Sequence, residues 1–282
     1  MKYITIIGGC NMDYFAHTFN PIKQKDSNPC LITKSFGGVG RNICENITRE
    51  NIPCHFFTIL GNDEDGENIK KDLESKNVFV HSPKSNKETG KYIAIIDNLK
   101  DMALAACDES IIDDLTIEYL NEYYEIINNS LFIVLDANLS EELIKNIFNT
   151  FGHKNIFVEA VSETKVLKYV PYMSKINLIK VNNQEYNNLL KYTNDEPTHL
   201  IISNGSKSVV YKHNGNIQEI EVPAISNLQN VTGAGDALMS GIIYGNYHNY
   251  DMITSIKIGI KWAGLTCSVN EAVYNKQIEK TI

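Results

Sequence analysis

The sequence is short of nearly everything that marks a chain built for a special environment. Proline occurs 7 times and glycine 17 times in 282 residues, too seldom for a collagen-like or Pro-rich disordered chain. Six cysteines (Cys10, Cys30, Cys44, Cys54, Cys107 and Cys267) form no CxxC pair and no C…HxxxH pattern. That argues against a zinc site and a dense disulfide framework, and reduced thiols in a cytoplasmic protein are expected. Basic residues are outnumbered, 26 against 34 acidic, for a net charge of -8. The field of the whole molecule therefore repels phosphate backbones, and nucleic acid is not an expected partner. Long apolar runs are missing too. The opening MKYITIIGG holds a run of only five apolar residues, too short for a signal sequence or a membrane span, so no membrane partner is expected.

What the chain does have is hydrophobic residues, 43% of the total, in short runs separated by amphipathic stretches. YITIIGG, HFFTIL, LFIVLD, NIFVEA, NLIKV and HLIIS read as buried strands. Apolar side chains at three- and four-residue steps predict helices over 39–50, 65–76, 117–128, 141–151, 163–169 and 184–191. Two longer apolar helices are predicted at 234–247 and 252–269. This alternation predicts a βαβ-wound, largely parallel sheet in one domain spanning 1–282, with its site at the strand C-termini. Two stretches break the alternation, a polar excursion over Phe15–Phe36 and a hairpin formed by KYIAIID and DMALAAC. Segments of approximately 14–36 and 90–107 are thus expected to pair into a small sheet covering the strand ends, as a lid would.

Five motifs carry possible chemistry. In Asn230-Val-Thr-Gly-Ala-Gly-Asp236, a glycine-rich turn opens a helix, so the amides of Gly233, Ala234 and Gly235 can gather an anion such as phosphate. A carboxylate next to an anion site makes sense as a base that takes a proton from an attacking hydroxyl; otherwise Asp236 is a helix cap. The second motif is Ser35-Phe-Gly-Gly-Val-Gly-Arg-Asn42. Gly37 and Gly38 would let a polyhydroxylated ligand lie on backbone, while Asn42 offers it both a donor and an acceptor. Asn11 and Asp13, read at the end of the first strand, would accept from a vicinal diol or form a surface turn. In Lys180-Val-Asn182-Asn-Gln-Glu185, Glu185 would hold Mg²⁺ through water beside Asn182, or the two would form a capping box. Ser203-Asn-Gly205-Ser-Lys-Ser208 would cradle a nucleotide or turn a hairpin. Lys180, Asn182, Ser203 and Gly205 are accordingly the candidate nucleotide contacts, beside Gly233 and Gly235.

GGxGxN early, NxxE in the middle and GAGD late, in that order on an α/β chain, resemble the ribokinase-like (PfkB) carbohydrate and nucleoside kinases over essentially the full length. The resemblance implies a three-layer α/β/α sandwich with a mainly parallel central sheet and a small β-sheet lid. It also implies ATP-dependent phosphorylation of a primary hydroxyl, with Asp236 as base, Gly233–Gly235 as anion hole, and Asn182 with Glu185 governing Mg²⁺. Within that family, residues 37–46, Asp101-Met-Ala-Leu-Ala, Asp136-Ala-Asn-Leu and 158–165 are most similar to the members that phosphorylate pseudouridine. That similarity implies that Asn11, Asp13, Gly38 and Asn42 grip the ribose. It places the lid around Met102, with Lys165, near the base, and adds Asn138 to the substrate-binding set. One departure stands out: many members begin the last motif with Asp-Thr, where this chain has Asn230-Val231, which leaves a role for K⁺ open. The alternatives are a kinase for ribose, another nucleoside or a keto-sugar, and a non-catalytic sensor of the same fold. A dinucleotide-dependent oxidoreductase is disfavoured, since Gly8-Gly9 is not followed by the GxGxxG pattern. An exposed lid sheet could also pair with its copy in a homodimer.

Overall fold

The computed structural model describes residues 2–276 and 278. The central sheet is assembled from β1 (Ile4–Ile7), β4 (Cys54–Phe57), β5 (Val78–His81), β8 (Ile133–Asp136), β9 (Ile156–Glu159), β10 (Leu178–Asn182), β11 (His199–Ser203), β12 (Ser208–His213) and β13 (Asn216–Glu221). Their spatial order is β13-β12-β11-β10-β9-β8-β1-β4-β5. From β5 across to β11 every neighbouring pair is parallel, and only the β11–β12 and β12–β13 pairs at one edge are antiparallel. The strands in the middle of this sheet are buried at every position because both faces are covered, and β1, β8 and β9 are apolar except for Thr5 and the carboxylates Asp136 and Glu159 at their C-terminal ends.

One face of the sheet packs on α1 (Val39–Thr48), α2 (Glu64–Ser75), α7 (Ala234–Tyr247) and α8 (Met252–Cys267) through a core including Ile6, Ile43, Phe56, Ile69, Leu238 and Ile256. The other packs on α3 (Ile117–Glu122), α4 (Tyr124–Asn129), α5 (Glu141–Phe151) and α6 (Asn183–Leu189), with Ile7, Leu120, Ile127, Leu135, Ile144 and Leu189 in its core. The result is the three-layer α/β/α sandwich that the resemblance implied. Each fully buried Ile or Leu in these layers contributes about 1.5–3 kcal/mol relative to exposure.

A second sheet of four strands stands apart, in the order β3-β2-β6-β7: β2 (Asn11–Thr18), β3 (Cys30–Gly37), β6 (Lys91–Ile96) and β7 (Met102–Asp108). The two early excursions therefore do meet, β2 alongside β6 in parallel. Asn11 and Asp13 belong to this sheet rather than to the end of the first strand, because Gly8, Gly9 and Cys10 carry the chain from β1 into β2.

Other local differences have physical causes. The helix expected over 117–128 breaks at Tyr123 (φ -112, ψ 22), whose ring is drawn against Phe57, His81 and Tyr119. The helix expected over 163–169 is a 3-10 segment, Lys165–Lys175, interrupted by Pro171. Strand β5 is only four residues long, too short to show a period, and β13 is polar and mostly exposed at the sheet edge.

Candidate active site

The C-terminal ends of β1, β8, β10 and β11 bring most of the predicted residues to one side of the sheet, and α1 and α7 begin there as well. The start of α7 is shaped by Gly233, the residue before its first turn, at φ +77 and ψ -3 with no side chain capping the helix. A Cβ on Gly233 would run into the carbonyl of Ala272, so this turn accepts glycine alone. The Ala234 N–H is committed to the Val231 carbonyl at 3.3 Å; of the three amides expected to gather an anion, that one is already engaged. Gly235 lies against Lys180, and a Cβ there would come within 2.7 Å of Nζ.

Asp236 is not a cap. It sits inside the first turn of α7, 9% exposed, and its Oδ2 accepts from Nδ2 of Asn42 at 2.8 Å. Burial pushes its carboxyl up to about 6, while the Asn42 bond and the Lys180 charge pull the other way and Asp136 adds to the rise. It therefore stays ionised at neutral pH yet remains basic enough to take a proton. Asn42 is fixed in turn by Arg41, whose Nη1 donates to Oδ1 at 3.1 Å.

The backbone leading to Asn42 runs through glycines that admit no side chain. Gly38 precedes α1 at φ +100, where a Cβ would strike Cys10 and the Gly9 carbonyl, and a Cβ on Gly37 would occupy the place of the Asp13 carboxylate. Asn11 donates through Nδ2 to Asp13. Burial raises the Asp13 carboxyl to about 6 against the lowering effects of Asn11 and Arg41. Asn138, 8% exposed, accepts from Nζ of Lys165 at 2.7 Å, and the same ammonium pairs with Glu109. Met102 stands apart from these groups. It is 60% exposed at the far end of the small sheet, with the Tyr92 hydroxyl donating to its sulfur at 3.4 Å.

Asp136 is a site residue to which the sequence reading gave no role, although it opens the Asp136-Ala-Asn-Leu segment. Fully buried, its carboxylate accepts from the amides of Gly9 (2.8 Å), Gly40 (3.0 Å) and Asn138 (2.9 Å). It ties the β1–β2 loop, the start of α1 and the loop after β8 into one unit. Burial raises its carboxyl above the usual range, opposed by those three donors. The advance signals were its place at the end of a buried strand and in that resembling segment.

On the nucleotide side, Lys180 (5% exposed) reaches Oε1 of Glu159 at 2.7 Å. Burial works against its charge, but Glu159, Asp236 and Glu185 share this one ammonium and hold it above its ordinary value. Asn182 and Glu185 form the capping box: Oδ1 of Asn182 accepts from the Gln184 and Glu185 amides, both at 2.9 Å, and Oε2 of Glu185 accepts from the Asn182 amide at 2.7 Å. Ser203 and Gly205 (φ +57) belong to the hairpin turn between β11 and β12, closed by the Asn204 amide on the Ser208 carbonyl at 2.9 Å. The same turn borders a mostly apolar cleft of about 640 Å³, lined among others by Val231, Ala234, Gly235 and Cys267, a size that suits a cofactor. A larger groove of about 790 Å³, bordered by Glu219, Val222 and Lys257, contains none of the predicted site residues. In the last motif, Oδ1 of Asn230 accepts from the Thr232 amide at 3.0 Å and its Nδ2 donates to the Asn270 carbonyl at 2.9 Å.

The apolar cleft thus ends at Gly235, and the next residue, the buried Asp236, is hydrogen-bonded to Asn42 at the end of the glycine-rich loop. The sequence pattern of the pfkB family of carbohydrate kinases matches residues 1–278. The chain belongs to that family. Among curated relatives, the pseudouridine kinase of Escherichia coli (strain K12) is 30% identical over 259 residues, covering 85% of this chain and 82% of its own. Among solved structures, a carbohydrate kinase from Agrobacterium tumefaciens aligns with a TM-score of 0.85 at 23% identity, over 97% of this chain and 93% of that one. Arabidopsis thaliana ribokinase complexed with ribose and ATP aligns with a TM-score of 0.79 at 14% identity, over 97% and 96%. As a pfkB kinase, this protein transfers a phosphoryl group to an alcohol of a sugar or nucleoside. Among its described residues, no helix is long and apolar enough to cross a membrane.

Proposed function

We propose that this protein is an ATP-dependent kinase that phosphorylates the 5′-hydroxyl of pseudouridine, releasing pseudouridine 5′-phosphate and ADP. The observation that carries the reading is the Asn42–Asp236 hydrogen bond, which joins the polar pocket to the helix start beside the apolar cleft. The similarity to the E. coli pseudouridine kinase supports the choice of nucleoside.

In this reading the adenine lies in the cleft beside Ser203, Gly205 and Val231, and the terminal phosphate meets the start of α7, where the helix dipole favours negative charge. The ribose lies on Gly37 and Gly38, with its hydroxyls held by Asn11, Asp13 and Asn42. Asp236 takes the 5′-hydroxyl proton as that oxygen attacks the γ-phosphorus. The bond from the γ-phosphorus to the β–γ bridging oxygen breaks, and its electron pair leaves on ADP. Phosphoryl transfer asks mainly for positioning and charge neutralisation, and Lys180 beneath Gly235 contributes a buried positive charge.

Magnesium is implied by this chemistry. Among the described residues no group of three or more His, Cys, Asp or Glu side chains could hold a metal ion. This donor set suits an ion that rides on the phosphates and keeps most of its water. Glu185, one oxygen of which is engaged by the capping box, would reach such an ion through water beside Asn182. Among the described residues the buried Oε2 of Glu159 has no hydrogen-bond partner, and it would offer a further acceptor to water held by such an ion. Magnesium supplies charge neutralisation on the phosphates. Potassium is given no step, because the Asn230 side chain that replaces the acidic residue is uncharged and already hydrogen-bonded at both ends.

The chain acts here as one catalytic unit, with the four-stranded sheet as its lid. Met102 shares a face of that sheet with Asp13, through the pairings Asp13–Tyr92 and Ile96–Met102, and would approach the base on closure. On the opposite face Ile32, Ile93 and Leu104 are exposed, and we assign them to contact with a second copy of the chain. The deciding experiment is ADP release with pseudouridine, uridine and ribose side by side. Turnover confined to ribose or uridine would overturn the assignment.

A further inference from the structure

Pseudouridine and uridine present almost the same outline to a protein. With the two glycosidic bonds superposed, both rings show a carbonyl, an N–H and a second carbonyl in the same places. They differ at one edge position, where pseudouridine has N1–H and uridine has C5–H. A kinase that tells them apart needs an acceptor aimed at that position, and beside it a donor for the neighbouring carbonyl.

The structure holds such a pair beside the sugar pocket. Glu109 follows the last residue of β7, and its carboxylate is paired with Nζ of Lys165, which also donates to Oδ1 of Asn138. Glu109 and Asn138 line a closed cleft of about 10 Å³ together with Gly9, Asn11, Gly90 and Ile112; a base enters it only when the small sheet, which carries Asn11, moves away from the main body. Asn11 marks the sugar end, the buried side chains of Ile111 and Ile112 give the cleft an apolar side, and Glu109 and Asn138 supply polar atoms. The pair is not sealed off: the side chains of Lys165 and Glu109 are 29% and 32% exposed, so an entering ligand can exchange with it.

We propose that Glu109 is the specificity-determining residue of the nucleoside site, its carboxylate accepting from pseudouracil N1–H while Lys165 donates to the adjacent C2 carbonyl. This rests on the pseudouridine reading above. The acceptor and donor stand side by side, as N1–H and C2=O do on the base. Uridine would leave the carboxylate facing a C–H, and a site built to hydrogen-bond a ligand N–H discriminates strongly against the analogue that lacks it. Glu109 also bridges the small sheet to Lys165 on the main body, so the pair would register the base and the position of the lid together.

The test needs no variant at first. N1-methylpseudouridine keeps every group except the N1 proton, and the wild-type protein should bind it on the order of 100-fold more weakly than pseudouridine by calorimetry. Glu109→Ala should then lower kcat/KM on pseudouridine by a similar factor, lower it much less on uridine so that the ratio of the two falls toward one, and remove the penalty against the methylated nucleoside. Glu109→Gln, which keeps one acceptor oxygen, should recover part of the loss. A purely structural role would lower all substrates together and leave the ratio of pseudouridine to uridine as in the wild type. Either that result, or equal wild-type affinity for the methylated and unmethylated nucleosides, overturns the proposal while the kinase reading stands. A wild-type enzyme inert on pseudouridine but active on another sugar overturns both.

Discussion

Asn42 and Asp236 lie 194 residues apart in sequence and 2.8 Å apart in space. The side chain assigned to the sugar is thus also the one that fixes the assigned base. Asp236→Asn keeps the size of the side chain but loses the proton acceptor. Turnover should fall by roughly 10²–10⁴-fold, with nucleoside affinity within a few-fold of wild type by calorimetry. Equal losses in both would remove Asp236 from the chemistry.

The acid limb of the rate profile should report the same contact. With its carboxyl raised to about 6 by burial, Asp236 is a competent base above that pH and is lost as a base when the pH falls through it. Asn42 donates to the ionised form, so Asn42→Ala should move the acid limb of kcat to higher pH as well as raising KM. Asp13 titrates in the same window and would enter kcat/KM, so kcat is the cleaner readout. An unmoved limb in the variant would separate Asn42 from the base.

How much of this was legible in the sequence follows from the range of each interaction. The αL glycine turn before Asp236, the positive-φ Gly38 and the pairing of the two early excursions are written locally or in simple periodicity, and so is the wound sheet. Asn182 with Glu185 could be read two ways, and the geometry contains the capping box. Nothing local joins Asn42 to Asp236, or Asp136 to the amides of Gly9 and Gly40, because those partners meet only after the sheet has formed. The break at Tyr123 was equally hidden, since it answers to rings from distant strands.

Gly233→Ala tests the turn. Its φ of +77 and the neighbouring Ala272 carbonyl leave no place for a methyl group, so the variant should lose about 1–3 kcal/mol of stability and most of its turnover. Urea denaturation and a kinase assay read these separately. A variant with wild-type stability and rate would mean the turn adopts another shape.

Asp136→Ala removes the acceptor of three buried amides. A loss of about 3 kcal/mol or more is expected in urea denaturation, with KM for the nucleoside rising more than kcat falls in whatever remains folded. Asp136→Asn, which keeps one acceptor oxygen, should sit between the two. A change confined to kcat would point to direct participation in the reaction instead.

Leu104→Lys and Ile93→Lys, on the outward face of the small sheet, test association of two copies. Sedimentation should show the wild type as a dimer and the variants shifted toward monomer, with little change in thermal stability. A monomeric wild type would leave that apolar surface without its assigned partner.

The carboxylate of Asp136 has one more implication, for how the molecule comes into being. Because segments from the first forty residues and from the turn after residue 136 fasten onto a single side chain, the nucleoside pocket cannot ripen piecemeal as the polypeptide emerges. A nascent chain stopped short of that point would hold every glycine of the sugar floor and still have no floor. The sugar floor should therefore take shape abruptly with chain length, at the moment the fourth parallel strand inserts beside the first.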